Sequence, residues 1–238
     1  IMPLPTIVTP TYELTLPSNG KKVKYRPFLV KEEKILILAI ESGDPKDITR
    51  AIKDVLKNCI STRGIKVDEL PTFDIEYLFL NIRAKSVGES VELIVRCPDD
   101  GVTEVNATVY IDEIKVKKDK DHTTDIKIDD TYTMRMKYPS LEQFVNENFS
   151  FSADVDSTFE IVASCIDVVF SEDEAWEAKE CTKKELVAFV EQFNSSQFKE
   201  VEKFFDTMPK LSHTITVTNP NTGVENEVTL EGLSSFFG

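Results

Sequence analysis

Cys97 heads the turn Cys97-Pro98-Asp99-Asp100-Gly101-Val102, and a thiolate at the head of such a knuckle is a natural zinc ligand. Structural zinc needs a full tetrahedral set of nitrogen or sulfur donors, so the rest of the chain decides the matter. A second turn of the same form, Asn219-Pro220-Asn221-Thr222-Gly223-Val224, offers amides in place of ligands, and His122 and His213 lie outside both turns. One thiolate is not a site, so the reading is no metal and no cofactor. A metal-binding or redox module centred on Cys97 is the alternative.

Cysteine chemistry of another kind is no better supported. Cys59 and Cys165 fall on or beside apolar helical stripes and read as core. Cys181 precedes a helix start, where the helix dipole would lower its pKa, but Glu177 and Glu180 act in the opposite sense. The four cysteines never form Cys-x-x-Cys and read as free thiols in a reducing compartment. Glycine-rich phosphate loops, Gly-x-Ser-x-Gly and His-Glu-x-x-His are all missing from the sequence. Acid pairs such as Asp99-Asp100 and Asp129-Asp130 are expected by chance with 42 acidic residues in 238, and none shows EF-hand spacing. The chain reads as a non-enzyme.

A formal net charge of -14 argues against a nucleic-acid backbone or an anionic membrane as the main partner, since both would repel it. The basic run Lys115-Val116-Lys117-Lys118-Asp119-Lys120 is flanked by acids and reads as a solvated loop. No stretch approaches the ~20 apolar residues of a membrane helix. The start Ile1-Met2-Pro3-Leu4-Pro5 lacks the regions of a signal peptide, which points to a cytosol-like compartment, with Ile1 an expression remnant.

Periodicity supplies the elements that hold these residues. Alternation over Tyr12–Leu16 and Lys21–Tyr25 around Pro17-Ser18-Asn19-Gly20 predicts a hairpin after an extended N-terminal arm. Helical spacing predicts helices from Lys31 to a stop at Gly43, from Asp44-Pro45 through Cys59, and from about Phe73 to Lys85 with Thr72 as cap. The first knuckle hairpin spans about Ser90–Ile111, and Asp112–Asp125 reads as an exposed loop. Ile126–Tyr138 reads as a strand or hairpin, Pro139-Ser140 opens a short helix with Leu141, Phe144 and Val145, and a longer helix is expected from about Asp156 to Phe170. Thr182-Lys183-Lys184-Glu185 is a capping box, Ser195 or Ser196 caps the next helix, and a second knuckle hairpin spans about Ser212–Leu230. This order predicts an α+β fold: a helical core with three antiparallel β-hairpins, two with degenerate zinc-ribbon-like turns. The expected division is 1–114, a charged loop at 115–125, and 126–238.

Aromatic and basic residues in Tyr25-Arg26-Pro27-Phe28-Leu29-Val30, and Phe236 and Phe237 at the end of the chain, exceed what a simple core requires. Aromatics and arginine are common at interface centres, so Tyr25, Arg26, Phe28, Phe236 and Phe237 are the candidate partner-binding residues. Trp176 stands in an acidic stretch, Ser171–Glu180, and belongs to the same question.

With these residues in view, the chain resembles the baseplate hub assembly protein family of T4-like contractile-tailed bacteriophages. The resemblance rests on Tyr25-Arg26-Pro27-Phe28-Leu29-Val30-Lys31-Glu32-Glu33-Lys34, on Phe73-Asp74-Ile75-Glu76-Tyr77-Leu78-Phe79-Leu80 running on to Arg83-Ala84-Lys85-Ser86-Val87-Gly88-Glu89, and on the knuckle at Cys97. It covers the first half of the chain distinctively. Some relatives carry a cysteine pair at the knuckle, where this chain has Asp99 and Asp100. The resemblance implies a protein, chaperone or subunit, that helps build the central hub in the host cytoplasm. Its partners would then be other phage baseplate hub proteins, with a possible place in the virion tail baseplate.

Overall fold

In the computed structural model, which describes residues 7–141 and 155–236, the chain is mixed helix and antiparallel sheet. It forms two compact units that are not consecutive in sequence. The first takes residues 1–117 and 210–238, and the second is inserted as 118–209. The second knuckle hairpin thus joins the N-terminal part of the chain, and the charged stretch at 115–125 holds the passage between units.

The first unit opens with the hairpin β1 (Tyr12–Thr15) and β2 (Lys22–Tyr25), whose alternation buries Leu14, Val23 and Tyr25. Helix α1 (Val30–Ser42) stops at Gly43, which takes φ 67° and donates its N–H to Ile40 O. Helix α2 (Pro45–Cys59) starts at the Asp44 cap, whose carboxylate accepts from Lys46 N at 2.8 Å. Helix α3 (Thr72–Val87) buries Phe73, Ile75, Leu78, Phe79, Leu80 and Ile82, apolar on nearly every side because it lies at the centre of the unit. Its cap position is Pro71, with no side-chain bond, and Thr72 is the first helical residue instead of the expected cap. Asp74, fully buried, accepts from Ser18 N at 3.0 Å and from Ser18 Oγ, fixing the first hairpin turn on α3.

The knuckle hairpins are β3 (Ser90–Arg96) with β4 (Glu104–Tyr110), and β10 (Lys210–Thr218) with β11 (Glu225–Glu231). Between the first of them and the second unit, the expected exposed loop is partly built in. Ile111–Glu113 is a 3-10 turn, Ile114 is buried, and the strand β5 (Lys115–Lys117) pairs with β10 from Lys210 to Ser212. Three residues, a valine between two lysines, carry too little periodicity to announce a strand, and the partner that makes it one is far away in sequence.

The second unit packs a four-stranded sheet in the order β6 (Asp125–Lys127), β7 (Thr133–Met136), β8 (Ile166–Phe170), β9 (Ala175–Glu177) against α4 (Val155–Ser164), α5 (Lys183–Val190) and α6 (Ser195–Thr207). Its core includes Met134, Met136, Val162, Ile166, Val201, Phe204 and Phe205. The long helix expected to Phe170 ends at Ser164, and Ile166–Phe170 crosses into the sheet. The Thr182/Glu185 capping box forms as expected, whereas the next helix is capped by Asn194, which accepts from Ser196 N and Gln197 N. Of the expected helix at Pro139-Ser140, the positions Phe144 and Val145 lie outside the described residues. No helix among the described residues is long and apolar enough to cross a membrane.

Candidate functional site

The two knuckle turns, about 120 residues apart in sequence, meet. Each closes by two backbone bonds at its head residue, the second turn one residue tighter than the first. Gly101 N donates to Cys97 O at 2.9 Å and Cys97 N to Thr103 O at 2.8 Å, while Gly223 N donates to Asn219 O at 2.8 Å and Asn219 N to Val224 O at 2.9 Å. Gly101 and Gly223 hold φ of 68° and 73°, the left-handed region where glycine is favoured. Asn219 therefore occupies in the second turn the position that Cys97 holds in the first.

The turns are joined by side-chain hydrogen bonds. Asn219 Nδ2 donates to Asp99 Oδ1 and to Asp100 Oδ2, both at 2.9 Å, and Thr222 Oγ1 donates to Asp99 Oδ2. Asn221 Nδ2 donates to Thr103 Oγ1 at 3.0 Å, and Asp99 N to Asn226 Oδ1 at 3.0 Å. The Asn219 and Thr222 donors hold the Asp99 carboxyl below the usual carboxylate range, and Thr103 and neighbouring backbone N–H groups do the same for Asp100. Burial, with Asp99 and Asp100 beside it, pushes the Cys97 thiol up, away from the thiolate a metal would need. The donor set is amide, hydroxyl and carboxylate already spent on one another, and it does not fit zinc. Among the described residues no group of three or more His, Cys, Asp or Glu is placed to hold a metal.

Beyond the joined turns, two strand edges face each other. Among the described residues β4 is bonded to β3 alone, and β10 is bonded to β5 only over Lys210–Ser212, so the Ile215–Thr218 stretch has no strand on that side. A cleft between them is lined by Val105–Thr108 of β4 and Ile215–Thr218 of β10. Unpaired N–H and C=O groups along such edges are a template for a further strand.

The residues singled out in the sequence are placed as follows. Tyr25 is buried, its ring 5.9 Å from that of Tyr12. Arg26 is half-buried, with Nη2 donating to Glu32 Oε1 at 2.9 Å. Phe28 is half-buried and donates its N–H to Ser86 Oγ at 2.9 Å. Phe236 is fully buried in a 3-10 turn, Leu233–Phe236, anchored where Leu233 N donates to Glu76 Oε1 at 2.9 Å. Phe237 lies outside the described residues. The structure thus brings the four described residues, Tyr25, Arg26, Phe28 and Phe236, together in no single exposed surface. Trp176 is partly exposed on β9 against Tyr132. Cys59 and Cys165 are buried, and burial raises the Cys59 thiol to about 11. His122 stacks with Tyr138 and lies tilted against Phe204, with Nδ1 2.9 Å from Thr207 Oγ1 and Nε2 2.9 Å from Tyr138 Oη. Since Thr207 gives its own hydrogen to Lys203 O, it accepts from Nδ1–H, and Nε2 accepts from the tyrosine.

The facing edges were not legible as a pair, because side-chain alternation does not say which edge stays open. The repeated x-Pro-x-x-Gly-Val turn was the one signal that could have paired them. A family model described as T4 bacteriophage base plate protein matches residues 9–238. No curated protein and no solved structure matches the chain.

Proposed function

We propose that this chain, which belongs to the T4 bacteriophage base plate protein family, helps assemble the central hub of the baseplate by direct protein contact and without catalysis. Membership makes it a phage baseplate structural protein, and the hub role is the finer reading. The observation that carries the contact mode is the pair of open edges, Val105–Thr108 and Ile215–Thr218, held at one end by the joined turns. A partner segment adding there as a strand would satisfy the backbone groups of an edge, with specificity from alternate side chains. The acidic surface would keep the protein soluble and favour basic partner patches.

Successive N–H groups along a strand point to opposite edges. Proline at Asn106 and proline at Ala107 therefore remove, in one order or the other, a ladder donor shared with β3 and a donor facing the cleft. The variant that keeps wild-type thermal stability should lose co-purification with the other hub proteins. Undiminished recovery with that variant removes the edge from the proposal. Mass spectrometry of purified virions distinguishes a subunit, present at fixed copy number, from an assembly chaperone that leaves.

A further inference from the structure

Helix α1 turns Glu32 and Ala39 inward, with Ile35 and Leu36 half-buried beside them. Its other side is unusual for a small acidic protein. Val30 is 80%, Ile37 49%, Leu38 55% and Ile40 64% exposed, the densest run of large exposed apolars among the described residues. A surface helix normally gives that face to charged and polar residues, and apolar groups collected on one face mark an interaction site.

The charges on this face say what it accepts. Lys34 and Glu41, like Glu33 beside them, are exposed and have no ion-pair partner among the described residues. Seven residues apart, they lie almost in line along the helix, one on each side of Ile37 and Leu38. The series Val30, Lys34, Ile37, Glu41 has the alternating four and three spacing of a helix–helix seam. With a two-fold axis between Ile37 and Leu38, an antiparallel copy of the helix sets Lys34 opposite Glu41 of the other copy, twice, and Ile37 against Leu38. A parallel copy would set lysine against lysine and glutamate against glutamate.

We propose that the outer face of α1 is a self-association surface, its occupant α1 of a second copy of this chain in antiparallel orientation. The face is self-complementary in shape class and in charge, as a two-fold contact requires. One helix per copy makes a small interface, so the dimer is a reversible one that forms with rising concentration. It is independent of the strand edges and of the hub assignment.

Sedimentation equilibrium of the full chain at physiological salt tests this. Wild type should show a monomer–dimer equilibrium. Lys34→Glu alone and Glu41→Lys alone should each weaken it by about tenfold or more, since each turns two attractive pairs into two repulsive ones. The double variant Lys34→Glu/Glu41→Lys should return to within about twofold of wild type. Leu38→Asp should give monomer throughout. These are surface changes, and thermal melts at low concentration should match wild type. A wild type that stays monomeric, or a double variant no better than the singles, overturns the proposal. So does a photo-crosslinker at Ile37 that captures only a different baseplate protein in purified particles.

Discussion

Glu32 has no exposed side-chain surface, yet its environment keeps it charged. Burial pushes its pKa up, but the bonds from Arg26 and from Leu29 N more than offset this, and the net shift is downward. Arginine among aromatics reads from sequence as an interface residue, and the carboxylate six positions on uses it inside the fold instead. Glu32→Gln should cost about 3 kcal/mol in chemical denaturation, because it leaves the guanidinium half-buried and unpaired. A loss below about 1 kcal/mol would mean that Arg26 finds water in its place. Glu76 runs the other way. Burial raises its pKa to about 7, and the N–H of Leu233 only partly resists. The folded state then holds a proton that the unfolded chain gives up near pH 4.5, so this contribution is whole below that pH and is lost as pH rises towards 7. Glu76→Gln keeps an acceptor for Leu233 and should raise stability at pH 8 by about 2 kcal/mol while leaving pH 4.5 nearly unchanged. An equal change at both pH values would show that the side chain does not titrate in this window.

At the level of elements, most of the helices and all three hairpins were legible, because each carries its own period and its own punctuation. Gly43 stops α1, Asp44 starts α2, and Thr182 with Glu185 starts α5. The misreadings share a cause. Ile166–Phe170 follows α4 with no glycine or proline between, so an apolar strand reads as one more helical turn. β5 is a strand only because Leu211 and its neighbours lie alongside. The joined turns show both sides of this. Their backbone form was readable, and their meeting was not, since nothing local ties Asp99 to Asn219. Fully buried Asn219 supplies both the bridging amide and, through Oδ1, the acceptor for Asn221 N at 2.9 Å. Asn219→Ala should therefore cost about 2 kcal/mol, more than Cys97→Ala, which removes one small thiol. In amide exchange, Asn219→Ala should also speed Gly101 and Val102, across the junction from the substitution. Loosening confined to 219–224 would show that the turns do not support each other.

At the level of the whole chain, the second unit enters and leaves through one strand pair. Lys117 and Lys210 are register partners in β5 and β10, so the first unit is closed where the insertion begins and ends. Antiparallel partners stand about 5 Å apart, a gap that a few glycines span. Each unit has a buried core of its own, around α3 in the first and around Phe204 in the second. The two also carry opposite responses to pH. Glu76, in the first, favours folding as pH falls from 7. In the second, burial lowers the pKa of His122, helped by Lys118, so the folded state prefers the neutral ring and loses stability as pH falls below about 6.5, where the unfolded histidine takes up a proton. The carboxylates with lowered pKa, Glu32, Asp68, Glu89, Asp99 and Asp100 in one unit and Asp125 and Glu185 in the other, act only below their unfolded range, while buried Asp74, its pKa raised by burial, acts in the same sense as Glu76 in the first unit. Calorimetry of the full chain between pH 7.5 and pH 5 should resolve two transitions that move apart, the first unit's upward and the second's downward. Excising 118–209 behind a short glycine linker should leave the upward-moving transition alone, with most of its pH dependence removed by Glu76→Gln. A single transition that shifts as one body at every pH, or an excised chain that fails to fold, would mean that the inserted unit is part of one cooperative structure.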